Sequence, residues 1–99
     1  MKHQLDGVEI HIATGGRPFD ANGEVVIMLH GSGQNHLTWV LQSRYFAYRG
    51  FSVLAPDFPG HGLSGGTPPA TIEDMAAWVI RLMDSLQVSA ATLVGHSQR

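Results

Sequence analysis

The sequence predicts an α/β fold, a mostly parallel sheet with helices packed on it, and three observations carry that prediction. Short apolar runs of strand length alternate with segments of helical periodicity, the pattern left by crossover connections between parallel strands. Two of the runs, Val25-Val26-Ile27-Met28-Leu29 and Phe51-Ser52-Val53-Leu54-Ala55, are nearly continuous in apolar residues. A strand covered on both faces reads this way. Hydrophobic residues make up 43% of the 99-residue chain and charged residues only 14%, a balance that favours buried β-structure over a disordered tail.

Each element follows from its local pattern. Val8 to Ala13 alternates apolar and polar residues, the period of a half-buried strand. The residues before it, around His3, are expected to fray. Gly15-Gly16-Arg17-Pro18 and Asp20-Ala21-Asn22-Gly23 are turn chemistry, and Val25 to Leu29 is the next strand. Leu37, Val40, Leu41, Tyr45 and Tyr48 recur at helical spacing and predict a helix that buries this stripe, ended by Gly50. Tyr45, Phe46, Tyr48 and Phe51 are read as ordinary core packing, and so are Met28, Met75 and Met83. Phe51 to Ala55 is the third strand. Asp57 to Pro69 is rich in Gly and Pro and is read as loop. Thr71, with Asp74 three residues on, resembles a capping box and opens the clearest helix. Its predicted apolar stripe is Ile72, Met75, Ala76, Val79, Met83 and Leu86. Ala91 to Val94 is the last strand.

Composition narrows the functional classes. The net charge is −2 and the six Lys and Arg are scattered from Lys2 to Arg99, so nucleic acid is not expected as a partner. Cysteine is absent, which removes disulfides and thiolate metal sites and suits a reducing compartment. No segment has the apolar length of a membrane span or the core of a signal peptide, so a cytoplasmic protein is expected. Residues 1–99 are read as one partial domain.

In sheets of this kind chemistry sits at the carboxyl ends of the strands. Three loops leave those ends: His30-Gly31-Ser32-Gly33, Asp57-Phe58-Pro59-Gly60-His61-Gly62-Leu63-Ser64, and Gly95-His96-Ser97-Gln98. Glycines after a buried strand let backbone N–H groups turn toward a ligand. A Ser on a sharp turn straight after a strand is the arrangement of a nucleophile elbow. The order and spacing of these loops, from about Val8 to Gln98, closely resemble the α/β-hydrolase family, and Leu54 to Ser64 looks especially like that family's post-strand loop.

The resemblance implies a role for each matching position. Ser97 matches the nucleophile. The backbone N–H groups of Ser32 and Gln98 match the oxyanion donors. His30, Gly31, Gly33 and Gly95 match residues that shape the loops. His96 fills the variable position before the nucleophile and is not the catalytic base. Asp57, Gly60 and Gly62 are read as structural. Family members that attack alkyl halides or epoxides carry Asp at the nucleophile position. A serine there implies acyl transfer to a small-molecule acyl substrate: an ester, thioester or amide-type carbonyl. No cofactor is implied, because side chains and water suffice. His30, His61 and His96 fall near one sheet edge, but their spacing matches no zinc pattern, so no metal is expected.

Two departures qualify the match. The family's second elbow glycine is replaced by Arg99. The triad acid and histidine of the family lie downstream of the nucleophile, where this sequence has only Gln98 and Arg99. The chain is therefore expected to be the N-terminal portion of a hydrolase, truncated at its elbow and inactive alone. The alternatives are a non-catalytic remnant or binding module, or a half-enzyme completed by another chain.

Overall fold

The computed structural model describes residues 1–95. Five strands and two helices follow one another: β1 (Lys2–Leu5), β2 (Val8–Ala13), β3 (Val25–Leu29), a 3₁₀ turn (His36–Trp39), α1 (Val40–Ala47), β4 (Ser52–Pro56), α2 (Ile72–Ser85) and β5 (Thr92–Gly95). The strands form one sheet in the order β1-β2-β4-β3-β5. β4, β3 and β5 run parallel, with Ile27 opposite both Leu54 and Leu93. The β1–β2 hairpin joins β4 antiparallel through Ile12 and Ala13.

The alternation that predicts the sheet also sorts its core. Val25 and Ile27 point to one face and join Ile10, Ile12, Leu54, Phe58 and the buried residues of α2. Val26 and Met28 point to the other and join Val53, Ala55 and Ala47 of α1. Each central strand is thus buried on both sides, and this explains its continuous apolar run. Met28 is buried and Met75 and Met83 pack partly against the core, as the sequence predicts.

Three expectations need correction. The N-terminal residues do not fray: β1 pairs with β2 from Lys2↔His11 to Leu5↔Val8, and the Met1 ammonium donates to the Ile12 carbonyl at 2.8 Å. The turn is Asp6-Gly7, both at positive φ (54° and 75°), the backbone of the two-residue turn that suits hairpin twist. The predicted stripe of α1 faces outward, with Leu41 at 75% exposure and Leu37, Val40, Tyr45 and Tyr48 also exposed. The helix instead leans on the sheet through small residues, Ser43 and Ala47. Phe46 and Phe51 do pack against the core, edge to face at 5.5 Å. In α2 the buried set is Trp78, Val79 and Leu82, while Ile72 is exposed. Trp78 rests on Phe58 at 5.1 Å, so the helix turns its largest ring inward.

The helix ends follow their sequence signals. The Asp74 N–H donates to Thr71 Oγ1 at 3.0 Å. Gly50 takes φ 94° just past α1, and the Phe51 N–H reaches back to the Phe46 carbonyl at 3.1 Å, closing the helix as expected.

Candidate active site

The loop after β3 is built around His30, which is completely buried. The Phe58 N–H donates to His30 Nε2 at 3.0 Å, so that nitrogen carries no proton. The proton therefore sits on Nδ1, which donates to the Gly31 carbonyl at 2.7 Å. Burial pushes the His30 pKa below its ordinary value, against the opposing pull of the Gly31 hydrogen bond. A neutral ring locked at both nitrogens joins the loops after β3 and β4. The His30 and His61 rings lie 5.0 Å apart, but with both His30 nitrogens engaged the pair offers no metal chelate.

Beyond His30 the chain turns tightly. The Gln34 N–H donates to the Gly31 carbonyl at 3.1 Å, and the Gly31 N–H donates to the Gln34 side chain at 2.9 Å. Gly33 adopts φ 75°. Ser32 at the tip is exposed, and among the described residues its N–H has no hydrogen-bond acceptor. Gly31, Ser32 and Gly33 line a cleft of about 320 Å³ together with Phe58, His61 and Met75. An apolar cleft of about 200 Å³ shares Phe58 and Met75 and reaches Gly95 at the end of β5. Larger grooves lie elsewhere: one of about 530 Å³ at the opposite strand ends near Glu24 and Thr92, and one of about 390 Å³ between Leu5 and Trp78. Of the described residues read from sequence as site residues, Gly31, Ser32, Gly33 and Gly95 line these clefts at the carboxyl ends of β3 and β5 and not the roomiest grooves.

The loop after β4 is held by Asp57, also completely buried. Its carboxylate accepts the His36 N–H at 2.6 Å, the Leu63 N–H at 2.9 Å and His36 Nδ1 at 3.0 Å. Burial alone would raise its pKa, but these hydrogen bonds outweigh burial and lower it. Gly62 sits at φ 51°, and a Cβ there would run into the Asp57 carboxylate. Asp57 and Gly62 hold this loop in shape, in keeping with their sequence context. His11 is half-buried, with its ring 4.6 Å from that of His36. Burial, then the neighbouring His36, lowers its pKa. No local signal ties His11, His36 and Asp57 together, because they come from three separate segments.

The residues assigned to the nucleophile turn, His96, Ser97 and Gln98, lie outside the described residues, and so does Arg99. Gly95, the last described residue, pairs with Leu29, the residue before His30.

The profile of the alpha/beta hydrolase family matches residues 26–98, from β3 through the predicted nucleophile. The chain belongs to the alpha/beta hydrolase family. It is 33% identical over 76 residues to the (E)-2-((N-methylformamido)methylene)succinate hydrolase of Acinetobacter baylyi, a match covering 76% of this chain and 28% of that one. It is 33% identical over 98 residues to an epoxide hydrolase of Caballeronia sordidicola, covering 92% and 27%. The crystal structure of an enol-lactonase from Burkholderia xenovorans superposes with a TM-score of 0.81 at 28% identity, covering 98% of this hydrolase chain and 37% of the lactonase. The chain therefore spans between 27% and 37% of the length of these relatives. Among the described residues no helix is long and apolar enough to cross a membrane.

Proposed function

We propose that the hydrolase to which these residues belong cleaves an ester, thioester or amide-type carbonyl of a small acyl substrate through Ser97. The carrying observation is the Ser32 N–H. It has no acceptor among the described residues, lies at the tip of a loop fixed by neutral His30, and borders the cleft at the strand ends. A donor in that state is available to a developing oxyanion without prior rearrangement.

In this reading Ser97 Oγ attacks the carbonyl carbon and its proton passes to a general base. The oxyanion is met by the Ser32 and Gln98 N–H groups. Collapse expels the alcohol, thiol or amine, and water then hydrolyses the acyl-serine. The family resemblance places the triad acid and histidine after the nucleophile in chain order. Names among the relatives divide between epoxide and carbonyl chemistry. A serine in place of the aspartate of epoxide-opening members favours the carbonyl. The absence of cysteine suits action in the cytoplasm.

The test is labelling of the protein isolated from its native cell with a fluorophosphonate probe, read together with its intact mass. Labelling at Ser97, lost in Ser97→Ala, supports the proposal. An unlabelled protein favours the binding-module reading. In the active protein Ser32→Pro, which removes the N–H, is expected to lower kcat by roughly 10²–10³-fold with KM little changed, whereas Ser32→Ala retains activity.

A further inference from the structure

We propose that His11, His36 and Asp57 form a binding site for a divalent transition-metal ion of the zinc type, separate from the cleft beside Ser32. One ligand atom from each residue lies within 4.8 Å of the others. Three segments supply them: β2, the turn that follows the Gly31–Gly33 loop, and the end of β4. Two imidazoles and a carboxylate are a donor set that Zn²⁺ accepts.

The geometry suits chelation. His36 Nδ1 is 3.0 Å from both Asp57 oxygens. With metal–ligand bonds of about 2.0–2.2 Å, two atoms so spaced subtend roughly a right angle at the ion. The His11 ring is tilted by 55° to that of His36 at 4.6 Å, close enough for a side-chain rotation to bring a third nitrogen within reach. Among the described residues the His11 ring nitrogens have no hydrogen-bond partner, so nothing must be broken to recruit them.

The surroundings hold the ligands as outer partners hold a metal site. The His36 and Leu63 N–H groups already orient the Asp57 carboxylate. A carboxylate offers about four lone-pair positions, so these two donors leave capacity for an ion. The Asp57 N–H donates to the His11 carbonyl at 2.9 Å. The His11 N–H donates to Ser64 Oγ at 3.0 Å, and that hydroxyl donates to the Asp57 carbonyl at 2.7 Å. The backbones of two ligands are thus tied to each other and to the Ser64 loop before any ion arrives. The ion takes the position of the His36 Nδ1 proton. From a neutral ring that proton moves to Nε2 through solvent, and from an imidazolium it is released. The bound ion would pin the turn that follows the Ser32 loop to β2 and β4.

The experiment is calorimetric titration of Zn²⁺ into the purified, chelator-stripped protein at neutral pH, with Co²⁺ absorption as a second readout. One ion per chain is expected. His11→Gln and His36→Gln should each weaken binding by more than the roughly 10–100-fold that an outer partner supplies, and should lose the Co²⁺ visible bands. His3→Gln and His61→Gln should leave both unchanged. Zn²⁺ should raise Tm in the parent and not in His11→Gln. Absence of saturable uptake, or an isotherm unchanged in His11→Gln, overturns the proposal. Should His36→Gln fail to fold by circular dichroism, His11→Gln decides alone, because its ring carries no hydrogen bond.

Discussion

His30 shows how much one side chain can organise. Its Nε2 accepts the Phe58 N–H and its Nδ1 donates to Gly31, an arrangement open only to the neutral ring. Protonation would turn the acceptor into a second donor facing an N–H. The folded pKa accordingly lies below the ordinary 6.5, chiefly through burial. As pH falls below about 6.5 the unfolded chain takes up a proton at His30 that the folded chain refuses, so stability falls with pH until the folded pKa is passed. His11 is shifted in the same direction and adds to the same limb. Asp57, lowered from 3.8, contributes stability that is lost only further into acid. His30→Gln keeps an acceptor for Phe58 without a titrating group. It is expected to flatten the limb just below pH 6.5 in urea-unfolding midpoints while leaving the Asp57 limb in place. An unchanged slope would show that His30 is not the linked group.

At the level of the element, the loop after β4 depends on a contact that a glycine permits. Gly33 and Gly62 both adopt positive φ, but a Cβ on Gly33 meets nothing within 4 Å whereas one on Gly62 meets the Asp57 carboxylate. Gly33→Ala should therefore cost only the left-handed backbone, about 1–2 kcal/mol. Gly62→Ala should cost clearly more, because Asp57 must also release the Leu63 N–H or the His36 ring. Equal urea midpoints for the two variants would mean that Asp57 yields without loss. These elements also show what the sequence could disclose. The central strands, the capped ends of α1 and α2 and the His30 loop were legible because each rests on a local pattern. The β1–β2 hairpin carries a local signal too, Asp6-Gly7, but the run before it, Lys2 to Leu5, is too short and too polar to predict a strand on its own. The face of α1 was not legible: its apolar stripe is real, yet close approach to the sheet favours Ser43 and Ala47 over bulkier residues. The His11–His36–Asp57 cluster had no local trace, since only the strand order brings β2 against β4.

At the scale of the whole molecule, the two faces of the sheet are unevenly covered. The α2 face carries a large core of buried residues, while the α1 face carries a smaller one built on Val26, Met28, Ala47, Val53 and Ala55. β5 pairs with β3 along one side, and among the described residues no strand pairs with its other side. Leu93, opposite Ile27, is 53% exposed, and Leu41 and Ile80 add exposed apolar surface on the helices. A short apolar strand with an open edge is a template for pairing with another copy, and exposed apolar surface elsewhere on the molecule adds a driving force that grows with area. Residues 1–99 produced alone are therefore expected to self-associate, with sedimentation velocity showing a weight-average mass that rises with concentration. Leu93→Lys, which places a charge on the open strand without touching the pairing of β3 and β4, should shift the distribution toward monomer. A monodisperse monomer that melts cooperatively before any substitution would sink this expectation and would mean that the β5 edge is shielded within the same chain.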